Sequence, residues 1–135
     1  MIKRWLAKRG TLPAKRRAEL EAEGLELLEE RLKGEVTYLR YAALGQRPQS
    51  GTTSTIAALA LTPRRLVVHG TQGIYLDAKP GPVTASVPEP EVLELAYEAS
   101  DIYPSRSGSV AIRLETPRAN DIQARLQAWT ETSRS

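Results

Sequence analysis

The stretch that decides the fold runs from Thr52 to Gly70 and reads TTSTIAALALTPRRLVVHG. Its apolar run from Thr55 to Leu61 predicts one strand, and the run from Leu66 to His69 predicts a second. Between them, Thr62-Pro63-Arg64 predicts a tight turn, because proline presets φ for the second position of a turn and cannot continue a ladder. The stretch is therefore a strand–turn–strand unit, and the rest of the chain can be placed relative to it.

The first of these strands is rich in small side chains. Ile56, Ala58 and Ala60 share one face of it, and Ala57, Leu59 and Leu61 share the other. The abundance of alanine predicts that another element packs closely against this sheet.

Size and composition bound the fold class and exclude several kinds of site. The chain has 135 residues, 41% of them hydrophobic and 26% charged, which favours a single globular domain. It has no cysteine, so a disulfide framework, a thiolate metal site and a cysteine nucleophile are excluded. Its one histidine, His69, excludes a multi-histidine metal site. We therefore expect no metal, no cofactor and a reducing, cytoplasmic compartment.

The positive charge is concentrated at the amino terminus. Residues 1–17 carry +7 and no acid, residues 18–35 carry seven glutamates and a net −5, and the remainder is nearly neutral at +1. These N-terminal cations, together with a tryptophan, form the first part of a candidate contact surface: Lys3, Arg4, Trp5, Lys8, Arg9, Lys15, Arg16 and Arg17.

The first ten residues, MIKRWLAKRG, place Ile2, Trp5 and Leu6 on one helical face among cations. Such a segment can lie on an anionic membrane surface, and the alternative is a terminus that frays or docks on its own domain. It lacks the continuous apolar core of a signal peptide, and no run approaches the ~20 apolar residues that cross a bilayer. We expect a cytoplasmic protein, with peripheral contact at the inner membrane face as an alternative.

A helix is predicted from Pro13 to Lys33, with Thr11 as its cap and Gly34 at its stop. A leucine stripe at helical spacing supports it: Leu20, Leu27, Leu28 and Leu32. The Lys15-Arg16-Arg17 cluster on this helix is either a solvated face or a patch that meets phosphates or an acidic partner. Both interpretations stay open.

Short strands follow Gly34, and a second helix closes the chain. The loop GQRPQSG spans residues 45–51, and Pro88 and Pro90 indicate an edge strand. Thr116 is the predicted cap of the last helix and Pro117 its first position, and four residues form its apolar face: Ala119, Ile122, Leu126 and Trp129. The predicted strands lie at about residues 36–44, 55–61, 66–69, 74–76, 83–87, 92–97, 102–103 and 109–114.

This order of elements predicts an α+β, mainly β fold. We expect a bent antiparallel sheet or partly open barrel of about seven strands, capped by a C-terminal helix, with an extra N-terminal helix. A sandwich of two sheets is the alternative, but it leaves the last helix without an obvious role.

Two segments resemble pleckstrin-homology (PH)-like domains of the bacterial PH or GRAM type. LALTPRRLVV at 59–68 resembles their recurrent "LT-x-x-R-L" hairpin, and Ser109 to Trp129 resembles their last strand and C-terminal helix. The resemblance covers about residues 34–130. It divides the chain into a basic N-terminus with an amphipathic helix at 1–33 and a PH-like domain at 34–135.

The resemblance implies a binding or scaffolding module, many relatives of which bind membrane lipids or proteins. In PH domains that bind phosphoinositides, basic residues on the first strands and their loop make the contacts. Arg40 and Arg47 occupy that region here, and Arg64 and Arg65 after the turn complete the candidate contact surface.

Three common catalytic or nucleotide-binding motifs do not accompany these features. A phosphate loop, a dinucleotide fingerprint and a G-x-S-x-G elbow are absent from the sequence. The acidic pairs Glu89 with Glu91 and Glu94 with Glu98 are expected to face water, and His69 is expected to be structural or exposed rather than a general base. We therefore predict a protein that is not an enzyme and has no catalytic residues.

Three hypotheses for its function remain. The first is binding of an unknown protein partner, or self-association through the leading helix. The second is peripheral binding to anionic lipid through the basic N-terminus. The third and least favoured is nucleic-acid binding through the N-terminal cations with Arg64 and Arg65, because the rest of the chain is nearly neutral.

Overall fold

The computed structural model describes residues 10–71 and 73–134. Helix α1 precedes the strands and helix α2 follows them, and a short 3-10 helix lies at Ala99–Asp101. The bounds are α1 Ala14–Ala22, β1 Leu27–Ala43, β2 Gln49–Leu61, β3 Leu66–Gly70, β4 Gly73–Ala78, β5 Thr84–Glu89, β6 Val92–Glu98, β7 Arg106–Glu115 and α2 Ala119–Arg134.

The seven strands form one sheet in the order β4-β3-β2-β1-β7-β6-β5. The registers of β1 with β7, β2 with β3, β3 with β4, β5 with β6 and β6 with β7 are all antiparallel. The predicted α+β, mainly β class is therefore confirmed, with seven antiparallel strands, a helix before them and a helix after them. Among the described strands β4 and β5 are the edges, and Pro88 lies in edge strand β5 as expected.

Contacts within the chain group the residues into two compact units. Among the described residues, one unit contains 10–33 together with Thr55–Lys79, and the other contains Gly34–Ser54 together with 80–134.

The alanine-rich strand is covered as its composition predicts. Ala58 and Ala60 are fully buried, in one cluster with Leu12, Leu20 and Val67. Residues 57–61 are all at most 1% exposed, so both faces of this half of β2 are covered. Small side chains on one face allow the segment that carries Leu12 and Leu20 to approach the strand closely.

The predicted C-terminal helix is present, but it begins at Ala119, two residues after the predicted first position Pro117. The Thr116 hydroxyl accepts a hydrogen bond from the Arg118 amide at 3.1 Å, as an N-cap does. The four residues of the predicted apolar face are all buried: Ala119, Ile122, Leu126 and Trp129. Helix α2 packs on β5 and β6 through contacts of its own unit.

The predicted helix from Pro13 to Lys33 is correct only in its first half. α1 ends at Ala22, and β1 begins at Leu27. Gly24 has φ +93° just after the helix, a left-handed position that glycine occupies without steric cost, and its amide donates to the Glu21 carbonyl. The Glu26 amide then donates to the Leu61 carbonyl at 2.8 Å, which turns the leucine-rich segment into a strand.

Gly34 is not a helix stop but a position of close approach inside β1. It lies opposite Leu114 of β7, and a Cβ at this position would collide with the Arg113 carbonyl oxygen. Glycine is required here because the neighbouring strand leaves no room for a side chain.

Two other predicted boundaries differ from the structure. Ile102 and Tyr103 are not a strand; they follow the 3-10 helix, and both donate their amides to the Ala99 carbonyl. The loop predicted at 45–51 is shorter, because β2 already begins at Gln49.

Substitution of Leu20 tests the packing of α1 on the sheet. Leu20 is fully buried, so we expect Leu20→Ala to lower the free energy of unfolding by about 2–5 kcal/mol through lost transfer energy and a cavity. Urea denaturation measures the change. Leu44→Ala is the control, because Leu44 is 87% exposed and should change stability by about 0.5 kcal/mol or less. Equal effects of the two substitutions would contradict the packing.

Candidate functional site

The sequence candidates fall into three groups in the structure. Lys3, Arg4, Trp5, Lys8 and Arg9 lie outside the described residues. A second group belongs to the unit that contains α1 and the turn: Lys15, Arg16, Arg17, Arg64 and Arg65. Arg40 and Arg47 belong to the hairpin formed by β1 and β2, in the other unit.

Arg65 is held by two carboxylates. Its Nε and Nη2 lie 3.1 Å and 2.6 Å from the two carboxylate oxygens of Glu23, and its Nη1 lies 2.9 Å from Oδ2 of Asp77. The Thr62 hydroxyl accepts from the amides of Arg64 and Arg65. The hydrogen bonds from Arg65 lower the pKa of Glu23 below its ordinary value, and the same bonds raise the pKa of Arg65. Arg65 thus ties the end of α1 to the turn and to β4.

The arginines of α1 also have acidic neighbours. Arg16 lies 3.6 Å from Glu19 and 3.9 Å from Asp77. Arg17 lies 3.0 Å from Glu21 and 3.9 Å from Glu30. Lys15 and Arg64 are exposed. The Lys15-Arg16-Arg17 cluster is therefore largely balanced by carboxylates of its own unit.

His69 is a half-buried histidine of β3. Burial lowers its pKa first, and the nearby positive charge of Arg16 lowers it further. A carboxylate that would orient it as a general base is not among the causes of this shift.

A groove lies on the β1–β2 hairpin. It has a volume of about 710 Å³ and is lined by two tyrosines, by Arg47 and by uncharged polar residues. We call this surface the tyrosine–arginine groove. Its lining residues are Tyr38, Tyr41, Gln46, Arg47, Gln49, Ser50, Gly51, Thr52 and Thr53.

The aromatic part of the groove is ordered by its own contacts. The rings of Tyr38 and Tyr41 meet edge to face, with centroids 5.2 Å apart at 61°. The Arg106 guanidinium carbon lies 5.8 Å from the Tyr41 centroid, and its Nη1 donates to the Tyr41 hydroxyl at 3.4 Å. Burial raises the pKa of Tyr97, and the charges of Tyr103, Tyr41 and Tyr38 raise it further.

The groove and its surroundings are cationic. Residues 36–54, which form most of the hairpin, contain Arg40 and Arg47 and no aspartate or glutamate. Arg106 adds a third cation at Tyr41. An anionic group in the groove would therefore meet no repelling carboxylate from residues 36–54.

Sequence reasoning named Arg40 and Arg47 but missed Tyr38, Tyr41 and Arg106. Strict alternation along β1 would place Tyr38 and Tyr41 on opposite faces. An irregularity in the pairing between Leu39 and Ala42, with Arg40 at φ +53°, breaks that alternation and brings the two rings together. A non-glycine left-handed residue inside a strand carries no simple sequence signal. The only hint was two tyrosines three residues apart.

The acidic pairs have structural neighbours. Glu94 accepts a hydrogen bond from Arg113 at 2.9 Å, and Glu98 accepts one from the Ser109 hydroxyl at 2.7 Å. Within residues 10–71 and 73–134, no group of three or more histidine, aspartate or glutamate side chains could hold a metal ion.

Comparison of the sequence with models of known protein families gives no match, and comparison with curated proteins gives none either. In the described part of the chain, the helices are too short or too polar to cross a bilayer.

The shifted pKa of His69 predicts a pH dependence of stability. Because the folded pKa lies below the ordinary value of 6.5, the unfolded chain binds more protons as the pH falls. The contribution of His69 to the free energy of unfolding is therefore present above pH 6.5 and is lost as the pH falls through the folded pKa of His69. We expect His69→Gln to make the decline in the free energy of unfolding between about pH 7 and about pH 5 shallower than in the native chain. Urea titrations at each pH measure it.

Glu23→Gln provides the control for this prediction. The pKa of Glu23 is lowered from its ordinary value of 4.5, so it affects stability only at lower pH. In this variant the free energy of unfolding should change its pH dependence below that value and should run parallel to that of the native chain between about pH 5 and about pH 7. Parallel curves for His69→Gln and the native chain would contradict the assignment.

Proposed function

We propose that this chain is a non-enzymatic, PH-like binding module that holds a protein partner in the tyrosine–arginine groove. The strand–turn–strand unit at LTPRRL and the helix that follows the last strand are the features that support the PH-like assignment. A seven-stranded antiparallel sheet with this helix after β7 is compatible with it.

The proposal rests on the residue types that line the groove and on the contacts between their side chains. Tyrosine and arginine are enriched among the residues that contribute most to protein–protein affinity. Here two tyrosine rings and the Arg106 guanidinium are held by one another, so little side-chain freedom remains to be lost when a partner binds. Gln46, Gln49 and Ser50 add donors and acceptors for a peptide backbone.

The acidic residues support a binding role rather than catalysis. Glu94 and Glu98 are engaged by Arg113 and Ser109, and the Arg65 cluster is an internal tie whose carboxylates face a guanidinium. None of these arrangements presents a general base to the groove.

Selection from a library of random peptides tests the proposal. The full chain is immobilised, and the peptides it enriches are then measured against Tyr41→Ala and Arg47→Ala. We expect each substitution to weaken binding by about tenfold or more, because both remove groove contacts. Arg47→Ala serves even if Tyr41→Ala disturbs folding, since Arg47 is an exposed residue of a loop.

Leu39→Ala is the matched control for the selection. Leu39 is 57% exposed on β1 but lines a different depression, with Ala96 and Ala111. Peptide binding should be unchanged in this variant. If no peptide is sensitive to Tyr41 and Arg47, or if Leu39→Ala has the larger effect, the groove is not the contact surface.

A second candidate function, binding to an anionic membrane, rests on Leu44. This side chain is 87% exposed between β1 and β2, and Arg40 and Arg47 flank it in the sequence. An exposed leucine with neighbouring cations suits the interface of an anionic bilayer. The basic N-terminal residues would add to the attraction. Nucleic-acid binding receives less support, because Arg16, Arg17 and Arg65 already have acidic neighbours.

Vesicle sedimentation tests this second function. If it holds, the full chain should sediment with phosphatidylcholine vesicles that contain phosphatidylserine and not with phosphatidylcholine alone. Leu44→Ser should reduce the bound fraction, and Ile74→Ser, at an exposed apolar residue of β4, should leave it unchanged. Equal sedimentation with both kinds of vesicle, or none with either, would reject a role for anionic lipid.

A further inference from the structure

The inner half of β2 and its outer half have different neighbours. β3 pairs with β2 only from Ala58 to Leu61. Thr71 then bonds to Thr55 and Ile56 through its amide and hydroxyl. From Gln49 to Thr53, β2 has β1 on one side, and on its other side no strand among the described residues pairs with it.

The residues of this part of β2 also contribute to the tyrosine–arginine groove. The five consecutive residues Gln49–Thr53 all line it. Gln49, Ser50, Gly51 and Thr52 are exposed, and Thr53 is half-buried.

The edge also lacks the features that protect the other edges of the sheet. Edge strand β5 contains Pro88, which cannot donate to an added strand. Edge strand β4 contains Asp77, whose charge is held by Arg65 and Arg16. Gln49–Thr53 reads QSGTT, with no proline and no charge, and a Cβ at Gly51 would meet open space.

We propose that Gln49–Thr53 receives an extended acidic segment of a partner protein as an additional β-strand. This inference rests on the proposed function and specifies the partner. Main-chain hydrogen bonds along the edge supply affinity, and side-chain contacts supply selectivity. Five residues of strand span roughly 16 Å, which is enough for a short linear segment.

The positive charges near this edge favour an acidic segment over a second copy of this chain as its occupant. Arg47 lines the groove, Arg106 stacks on Tyr41, and the hairpin residues 36–54 contain no carboxylate. Two copies paired through this edge would bring the cations of each toward those of the other without compensation. Carboxylates of the added segment would pair with Arg47, which lies two residues before Gln49.

Peptide titrations of the full ¹⁵N-labelled chain test the proposal. The probe is acetyl-TEVTVET-amide, compared with versions that carry glutamine or lysine at both glutamate positions. We expect the acidic peptide to shift the amide signals of Gln49–Thr53, the glutamine version to bind about tenfold more weakly, and the lysine version to cause no shift. Arg47→Glu should abolish binding of the acidic peptide. Arg64→Glu, an equal charge change at an exposed site of the other unit, should not.

Two N-methylated peptides separate strand addition from other modes of binding. One peptide is N-methylated at the two valines, and the other at the central threonine and the second glutamate. Because alternate amides of an added strand point toward its neighbour, one of these peptides should lose binding and the other should keep it. If both peptides bind equally, no strand is added and the inference is overturned, although the groove remains a binding surface.

The remaining outcomes also decide the question. If the acidic, glutamine and lysine peptides bind with equal affinity, the partner is not required to be acidic, but strand addition still stands. No shift at Gln49–Thr53 with any probe overturns the inference, whereas the proposed function is judged separately by the peptide library. A dimer of the free chain in light scattering, with Gln49–Thr53 protected from exchange, would place a second copy on the edge and also overturn it.

Discussion

Complete burial of residues 57–61 of β2 is the constraint on which the rest of this structure depends. Because Ala58 and Ala60 have small side chains, the segment with Leu12 and Leu20 can pack directly on that face of the strand. A larger side chain at either alanine would force that segment away from the strand, since a packed interior has no spare volume.

The position of α1 determines the arrangement of charges around it. With Leu20 buried against the strand, the helix ends beside the turn, and Glu23 receives the hydrogen bonds of Arg65. Asp77 of β4 takes the remaining Arg65 contact. The arginine that follows the Thr62-Pro63-Arg64 turn is thus part of the fold. Binding, in our proposal, belongs to a different part of β2.

In our proposal β2 contributes both to the core and to the binding site, because it is longer than its neighbour β3. β3 covers four residues of β2, and the hairpin with β1 continues beyond it to Gln49. The irregularity at Arg40 then brings Tyr38 and Tyr41 of β1 together in the groove that Gln49–Thr53 also line. The buried half of the strand is thus paired with β3, whereas no strand among the described residues pairs with the outer half on that side. Sites built on regular strands are held more precisely than sites on loops.

Local chemistry made some of this predictable from the sequence. The proline turn, the alanine-rich strand and the capped C-terminal helix each carry a direct signal, and each is found in the structure. The segment after Ala22 was not predictable in the same way. Its leucines fit a helical period, but a left-handed Gly24 and pairing with the end of β2 override that period. Propensity is a weak guide when long-range pairing competes with it.

The groove was hidden from the sequence for a related reason. Arg31 and Arg40 both have positive φ inside β1, so the alternation that normally reveals a strand's faces is interrupted twice. Arg106 reaches Tyr41 from a strand 65 residues away in sequence. Neither the left-handed backbone nor this long-range contact can be inferred from the spacing of residue types.

Hydrogen exchange of the native chain tests the division of β2 most directly. We expect the amides of residues 57–61 to exchange only with global unfolding, and alternate amides of Gln49–Thr53, those that face away from β1, to exchange rapidly. Uniform slow exchange along the whole of β2 would show that its outer edge is already covered and would contradict its availability to a partner.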